Sequence, residues 1–257
     1  MQFNIPSHLD EADKFIQSPY IIFEFHNFMD NTDYNALVQE IYSLNDYDYT
    51  FDGKGGKKGK IYTRSDLKKI KLPQFNKFMT EITNKSFFKW FSQTHLPYFN
   101  NGLIRILVSR PRNIFFRILR RINRILNSPL SFYHIQVETS VITKGSSIPP
   151  HTDDALKRLS LILYLCEKEL PEKMRINLGT IFYGVRNEGQ EWSRFDSILL
   201  NNNETNKFYK DYQKEYISQF RPNVCAGFIK NDISWHAVSK NIYDYGRKAL
   251  VINILEL

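Results

Sequence analysis

The chain has 257 residues, 42% of them hydrophobic and 15% aromatic, a composition that can fill a packed core and that excludes an intrinsically disordered protein. Its two cysteines supply neither a disulfide framework nor a thiolate metal site, and no stretch approaches the roughly 18 consecutive apolar residues of a membrane-crossing helix. The net charge of +8 is concentrated: Ile82 to Val137 carries nine Lys or Arg and no Asp or Glu, which leaves about −1 for the rest of the chain.

The opening Met1-Gln2-Phe3-Asn4 lacks the basic start and apolar run of a signal peptide, so a cytoplasmic location is the expectation. Tyr20 to Phe25 is a β-prone run. Asn31-Thr32-Asp33 then offers a helix cap before Tyr34, Leu37, Val38, Ile41 and Leu44 recur at helical spacing. His26, at the strand end, is expected to be structural.

Gly53-Lys54-Gly55-Gly56-Lys57-Lys58-Gly59-Lys60 does not fit the phosphate-cradling pattern, because Gly53 is one residue too far from Gly59 and Ile61 stands where a hydroxyl is needed. A basic loop between strands is expected there. Leu72 to Leu107 is helical in parts, with Phe78, Ile82, Phe87, Phe88, Trp90 and Phe91 as packing residues.

Between Pro111 and Leu126 the spacing predicts an amphipathic helix. Phe115, Ile118, Leu119, Ile122, Ile125 and Leu126 fall on one face, and Arg117, Arg120, Arg121 and Arg124 on the other. Two readings of the arginines stand: a solvated outer face, or a contact with an anionic partner or surface.

From Ser131 the chain turns β-rich, with strands expected at 132–141, 157–165, 180–185, 224–229 and 248–255. Cys166 and Cys225 fall in apolar runs and read as buried. The stretch 187–221 is too long for a turn, and its Phe208, Tyr209, Tyr212 and Tyr216 fit one side of a short helix. The fold class is therefore mainly β with flanking helices (α+β): a jelly roll or double-stranded β-helix, cupin-like, over 131–257, supported by residues 1–130. One domain spanning 1–257 is the simplest division.

His151 and Asp153 stand two apart, and His236 follows far downstream in Ser234-Trp235-His236-Ala237-Val238. Two imidazoles and one carboxylate can occupy one face of a metal and leave the opposite face open, as in the facial triad of non-haem Fe(II) sites. Around them run Arg158-Leu-Ser-Leu-Ile-Leu-Tyr164-Leu, Leu178-Gly179-Thr180-Ile181-Phe182, Phe228-x-x-Asn231 and Gly246-Arg247, the arginine eleven residues after His236. In that order the series resembles the Fe(II)/2-oxoglutarate-dependent oxygenases, and within them the prolyl-hydroxylase-like branch.

The resemblance implies His151, Asp153 and His236 as metal ligands and catalytic centre, with Fe(II), 2-oxoglutarate and O₂ as cofactor and cosubstrates. It implies that Arg247 and Tyr164 bind the distal carboxylate of 2-oxoglutarate. Asn231, Trp235 and Asp154 are candidates for orienting the ligands, and Thr180 and Gln136 for lining the pocket. The implied reaction is oxidative decarboxylation of 2-oxoglutarate to succinate and CO₂ coupled to hydroxylation of an unactivated C–H in a small molecule, peptide or glycan.

Retention of Asp153 argues against halogenation. Asn253, where nucleic-acid dealkylases of the superfamily carry a second arginine, argues against a nucleic-acid substrate. The competing readings are a sensor that binds metal and 2-oxoglutarate without turnover, and a plain jelly-roll binding module. The expected partner is a small-molecule or tethered substrate, which the basic segment favours as anionic. His8, His95 and His134 lie outside the series and read as structural.

Overall fold

The computed structural model describes residues 1–43, 50–51, 57–63, 71–84, 86–87, 90–91, 103–105, 130–154, 156–187, 189–192, 200 and 202–256. The predicted helix at 111–126 with its four arginines, and His95, lie outside the described residues. Within them the chain is mainly β, in two antiparallel sheets that face each other as a jelly roll.

Strands are numbered in chain order. The larger sheet runs β1 (Lys14–Ile16), β2 (Ile22–Phe25), β11 (Cys225–Ile229), β8 (Lys157–Leu165), β13 (Arg247–Glu256), β6 (Leu130–Ile142), β4 (Lys57–Thr63) and β3 (Thr50–Phe51) in space. β5 (Leu103–Arg105) pairs parallel with β6. The smaller sheet runs β10 (Tyr212–Ser218), β9 (Thr180–Val185), β12 (His236–Val238) and β7 (Ile148–His151).

Alternation along the central strands sorts their side chains into two compartments. On β13, Leu250, Ile252 and Ile254 join Leu159, Leu161, Leu163 and Leu165 of β8 in a core on the outer face of the large sheet. Two helices, α1 (Asn31–Tyr42) and α2 (Pro73–Ile82), cover that face with Tyr34, Leu37, Val38, Ile41, Phe75, Phe78, Met79 and Ile82. Each large apolar side chain fully buried there contributes about 1.5–3 kcal/mol relative to exposure.

The helix ends are satisfied locally. Asp30 caps α1 by accepting from the N–H groups of Thr32 and Asp33. Pro73 opens α2, where Glu40 of α1 accepts from the N–H of Gln74 at 3.1 Å and of Phe75 at 2.7 Å. One carboxylate thus fills two orphan donors and locks the helices together.

The inner face of the large sheet looks toward the small one. Tyr164, Ile162, Ala226, Phe228 and Ala249 meet Phe182 between the sheets. Beyond the small sheet, α4 (Asn202–Asp211) packs Phe208 on Ile181, Tyr183, Trp235 and Ala237. A further short helix, α3 (Glu172–Asn177), connects β8 to β9.

Strands at 132–141, 157–165, 180–185, 224–229 and 248–255 are where the alternation predicts them, within a residue or two. Two expectations differ. Lys57–Lys60 belong to β4 and are not loop. Tyr212 and Tyr216 lie not on the helix with Phe208 but on β10, because the chain leaves α4 at Asp211 and pairs with β9. The second half of the expected insertion is therefore a strand of the small sheet, its aromatic spacing having served both periods. Cys166 and Cys225 are buried and unpaired with each other, as expected.

Gly227 on β11 leaves no room for a side chain in the large core, since a Cβ there would lie 2.3 Å from the Phe23 ring and 2.8 Å from Leu161. Gly227→Ala is expected to lower the unfolding free energy by about 1–3 kcal/mol through overpacking, measured by urea denaturation at unchanged m-value.

Candidate metal centre

The site grows from the pairing of β7 and β12. β7 is the edge of the small sheet and holds Pro149 and Pro150, which lack an N–H and are tolerated at an edge. Its last residue, His151, is the direct antiparallel partner of His236, the first of β12. Opposed residues project to the same side, and the ring centroids lie 4.3 Å apart. The irregular register between His236 and Val238 ends the regular pairing there.

Asp153 follows two residues after His151, with Thr152 fully buried between them. The ligand-capable atoms of His151, Asp153 and His236 all lie within 4.8 Å of one another, and the three residues are 9%, 5% and 7% exposed. Among the described residues this is the one such grouping of His, Cys, Asp or Glu.

Both rings are oriented by backbone. His151 Nδ1 lies 3.0 Å from Pro149 O, and His236 Nδ1 lies 3.0 Å from Ser234 O. A carbonyl oxygen can only accept, so each Nδ1 carries the proton and each Nε2 keeps its lone pair for a cation. Asn231, Trp235 and Asp154 serve other groups: Asn231 accepts from Ile233 N, Trp235 Nε1 donates to Trp192 O, and Asp154 accepts from Leu156 N.

The carboxylate is held by two side chains that the spacing argument passed over. Lys157 Nζ donates to Asp153 Oδ1 at 2.8 Å, and Ser160 Oγ donates to Oδ2 at 2.8 Å. A hydroxyl has one proton, so Asn253, 3.0 Å from the same Oγ, is satisfied by turning its NH₂ group toward it. Burial would push the Asp153 carboxyl up, but neighbouring positive charge, the Lys157 ammonium first, outweighs it and holds the group well below the ordinary carboxylate range. The sequence does carry a signal for Ser160: it is the polar residue interrupting the buried run from Leu159 to Leu165.

A cavity of about 50 Å³ joins the three residues to Thr180, Lys157 and Arg247. Arg247 is 2% exposed, at the start of β13. Its Nε donates to Leu178 O at 2.8 Å and its Nη2 to Thr180 Oγ1 at 3.1 Å, and among the described residues no carboxylate pairs with it. Burial pushes its pKa down from the ordinary value, with Tyr164 opposing, yet a guanidinium stays charged in proteins.

Tyr164 packs beside it, the Arg247 Cζ lying 5.4 Å from the ring centroid. The Tyr164 hydroxyl reaches Thr180 Oγ1 at 2.9 Å and Ser218 O at 3.1 Å. Burial raises its pKa against the opposing effects of Arg247 and these hydrogen bonds, so it is a neutral donor. Tyr34 of α1 bonds to the backbone of Tyr164 and Cys166, which fixes this end of β8. Gln136 sits half-buried opposite Asn253.

Two neutral imidazoles and one ionised carboxylate form a donor set suited to a divalent first-row metal, with Fe(II), Co(II) and Ni(II) all chemically acceptable. No family model and no curated protein matches the sequence. Solved structures do match in shape. A Pseudomonas putida prolyl-4-hydroxylase superposes with a TM-score of 0.53 at 9% identity, covering 92% of each chain. A 2OG-Fe(II) oxygenase family oxidoreductase from Burkholderia pseudomallei gives 0.48 at 9% identity over 91% of this chain and 84% of that one. HygX from Streptomyces hygroscopicus, solved with nickel, 2-oxoglutarate and hygromycin B, gives 0.47 at 10% over 91% and 82%. At such identities the likeness to the prolyl-4-hydroxylase shows the fold alone: this chain shares that protein's jelly-roll fold.

Co(II) at about a hundred times its dissociation constant is expected to raise the unfolding free energy by about 2.7 kcal/mol. His236→Ala is expected to abolish that gain, read as loss of the Co(II)-dependent rise in Tm.

Proposed function

We propose that the chain is an Fe(II)- and 2-oxoglutarate-dependent dioxygenase that hydroxylates an unactivated C–H of a small molecule, peptide or glycan, with release of succinate and CO₂. The observation that carries this reading is Arg247. A buried charge without a counter-ion costs several kcal/mol, so a guanidinium held in a cavity with no carboxylate partner among the described residues calls for an anion from a ligand. The same cavity holds the His151, Asp153 and His236 donor set. A ligand that joins the two is a short diacid: one end chelates a metal and the other meets a guanidinium.

In this reading His151, Asp153 and His236 hold Fe(II), which together with 2-oxoglutarate and O₂ supplies the oxidation when bound. Arg247 binds the distal carboxylate, its fork turned by Leu178 O and Thr180 Oγ1 so that remaining N–H groups face the cavity. Tyr164 adds a neutral O–H beside it and holds Thr180 in place. The apolar wall of Ile162, Phe228 and Val251 keeps the carboxylate in a low-dielectric setting that strengthens this pairing.

An anaerobic titration tests the reading. Fe(II) followed by 2-oxoglutarate is expected to give a metal-to-ligand absorption band, and O₂ then yields succinate; absence of the band in the wild type overturns the reading. A band with no substrate-stimulated succinate across a broad panel would instead favour a sensor. Arg247→Met is expected to weaken 2-oxoglutarate by about 2–5 kcal/mol, the cost of removing one partner of a buried charge pair, with Fe(II) affinity nearly unchanged. Equal losses for metal and 2-oxoglutarate would mean that Arg247 is structural.

A further inference from the structure

We infer that Lys157 is a positioning residue for the carboxylate ligand, holding Asp153 so that it meets a divalent metal through one oxygen and leaves three positions for other ligands. The inference rests on the reading of Asp153 as a ligand. Asp153 lies beyond the end of β7, in a segment without regular pairing that leads into β8. A carboxylate there, with only its own backbone to direct it, can rotate and bind a metal through one oxygen or through both.

Two donors prevent that rotation. Lys157 Nζ holds Oδ1 and Ser160 Oγ holds Oδ2, each at 2.8 Å, so the carboxylate plane is fixed from both sides. Both come from β8, at its first and fourth residues. β8 is paired along both edges, with β11 and β13, and so is among the most constrained strands of the large sheet. Ser160 is backed by Asn253 on β13. The ligand is thereby referenced to the large sheet, while His151 and His236 belong to the small one.

Lys157 is the stronger of the two holds. It is charged, its side chain is only 12% exposed, and a charge-assisted hydrogen bond is roughly twice as strong as a neutral one. Burial would push its pKa down, but Asp153 and Glu138 outweigh that and raise it. Lys157 also lines the cavity, so its charge faces whatever enters.

The consequence concerns coordination. A facial triad leaves three open positions, and a chelating 2-oxo acid with O₂ needs all of them. A carboxylate free to take a second position competes with the chelate. Lys157 thus acts on cosubstrate addition through Asp153, without being a ligand itself.

The test uses the full chain loaded with Co(II) under anaerobic conditions, with wild type, Lys157→Met, Lys157→Arg and Ser160→Ala compared. Ligand-field absorption of Co(II) reports the coordination, and titration with 2-oxoglutarate reports chelation, neither requiring turnover. For Lys157→Met the expected result is a Co(II) spectrum altered before 2-oxoglutarate is added, and 2-oxoglutarate bound about tenfold more weakly or worse, the usual scale for loss of an outer partner of a metal ligand. Lys157→Arg is expected to restore the wild-type spectrum, and Ser160→Ala to shift it less than Lys157→Met.

A Lys157→Met protein with the wild-type Co(II) spectrum and wild-type 2-oxoglutarate affinity overturns the inference. Should that variant not fold, Lys157→Gln makes the same comparison, and wild-type values in it are equally fatal. Failure of the wild type to bind Co(II) overturns the metal reading and this inference with it. Co(II) binding without any response to 2-oxoglutarate overturns the cosubstrate reading, and the unloaded-versus-altered Co(II) spectrum still decides whether Lys157 positions Asp153.

Discussion

Two short strands, β7 and β12, pair so that His151 and His236 stand directly opposite each other. That single register sets the distance between two imidazoles, and a shift by one residue would turn one ring to the far side of the sheet. The two strands are only four and three residues long, so their own ladder is too weak to guarantee it. The surrounding structure supplies the guarantee. β9 pairs with β12 along its other edge, Tyr20 donates to the carbonyl of Trp235 at 2.6 Å, and Trp235 is fully buried against Phe208 and Tyr212. The residue before the histidine is thus anchored as firmly as any in the small sheet.

The polar groups of the site are held by partners within the chain. The Asp153 carboxylate takes donors from β8, the imidazoles use carbonyls two residues back, and the Tyr164 hydroxyl bridges β9 and β10. Gly179 belongs to this scheme, because a Cβ at that position would lie 2.3 Å from the Ser218 carbonyl oxygen that Tyr164 uses. Arg247 is the exception in one respect. Its three groups of N–H donors meet a carbonyl and a hydroxyl but, among the described residues, no anion. In the proposed function an anionic ligand supplies the missing counter-ion.

The two layers of core divide the work. The outer core under α1 and α2 is apolar and supplies most of the burial, while the inner space gives up part of its burial to hold charged and polar residues. A domain can carry such a site only if stability is provided elsewhere. Here the phenylalanines of the outer core, with Glu40 and Asp30 closing the helix ends, provide it.

Much of this was legible in the sequence. Alternation over 132–141, 157–165 and 248–255 determined long strands with one face for each compartment, because a two-sided sheet demands that pattern. Of the residues picked out by type and order, His151, Asp153, His236 and Arg247 line one cavity, and Tyr164 packs beside Arg247 outside that lining. The short strands β7 and β12 were hidden, since a few residues carry too little periodicity, and β10 was hidden because the aromatics of 208–216 fit helix and strand equally. The partners of the site were hidden as well. Asp154, Asn231 and Trp235 are close to the ligands in sequence and point to other groups, whereas Lys157 and Ser160 reach Asp153 because β8 folds back beside it. Residue type and order named the candidate ligands; how they are held depends on strands that meet only when the two sheets close, and that the tertiary structure alone decided.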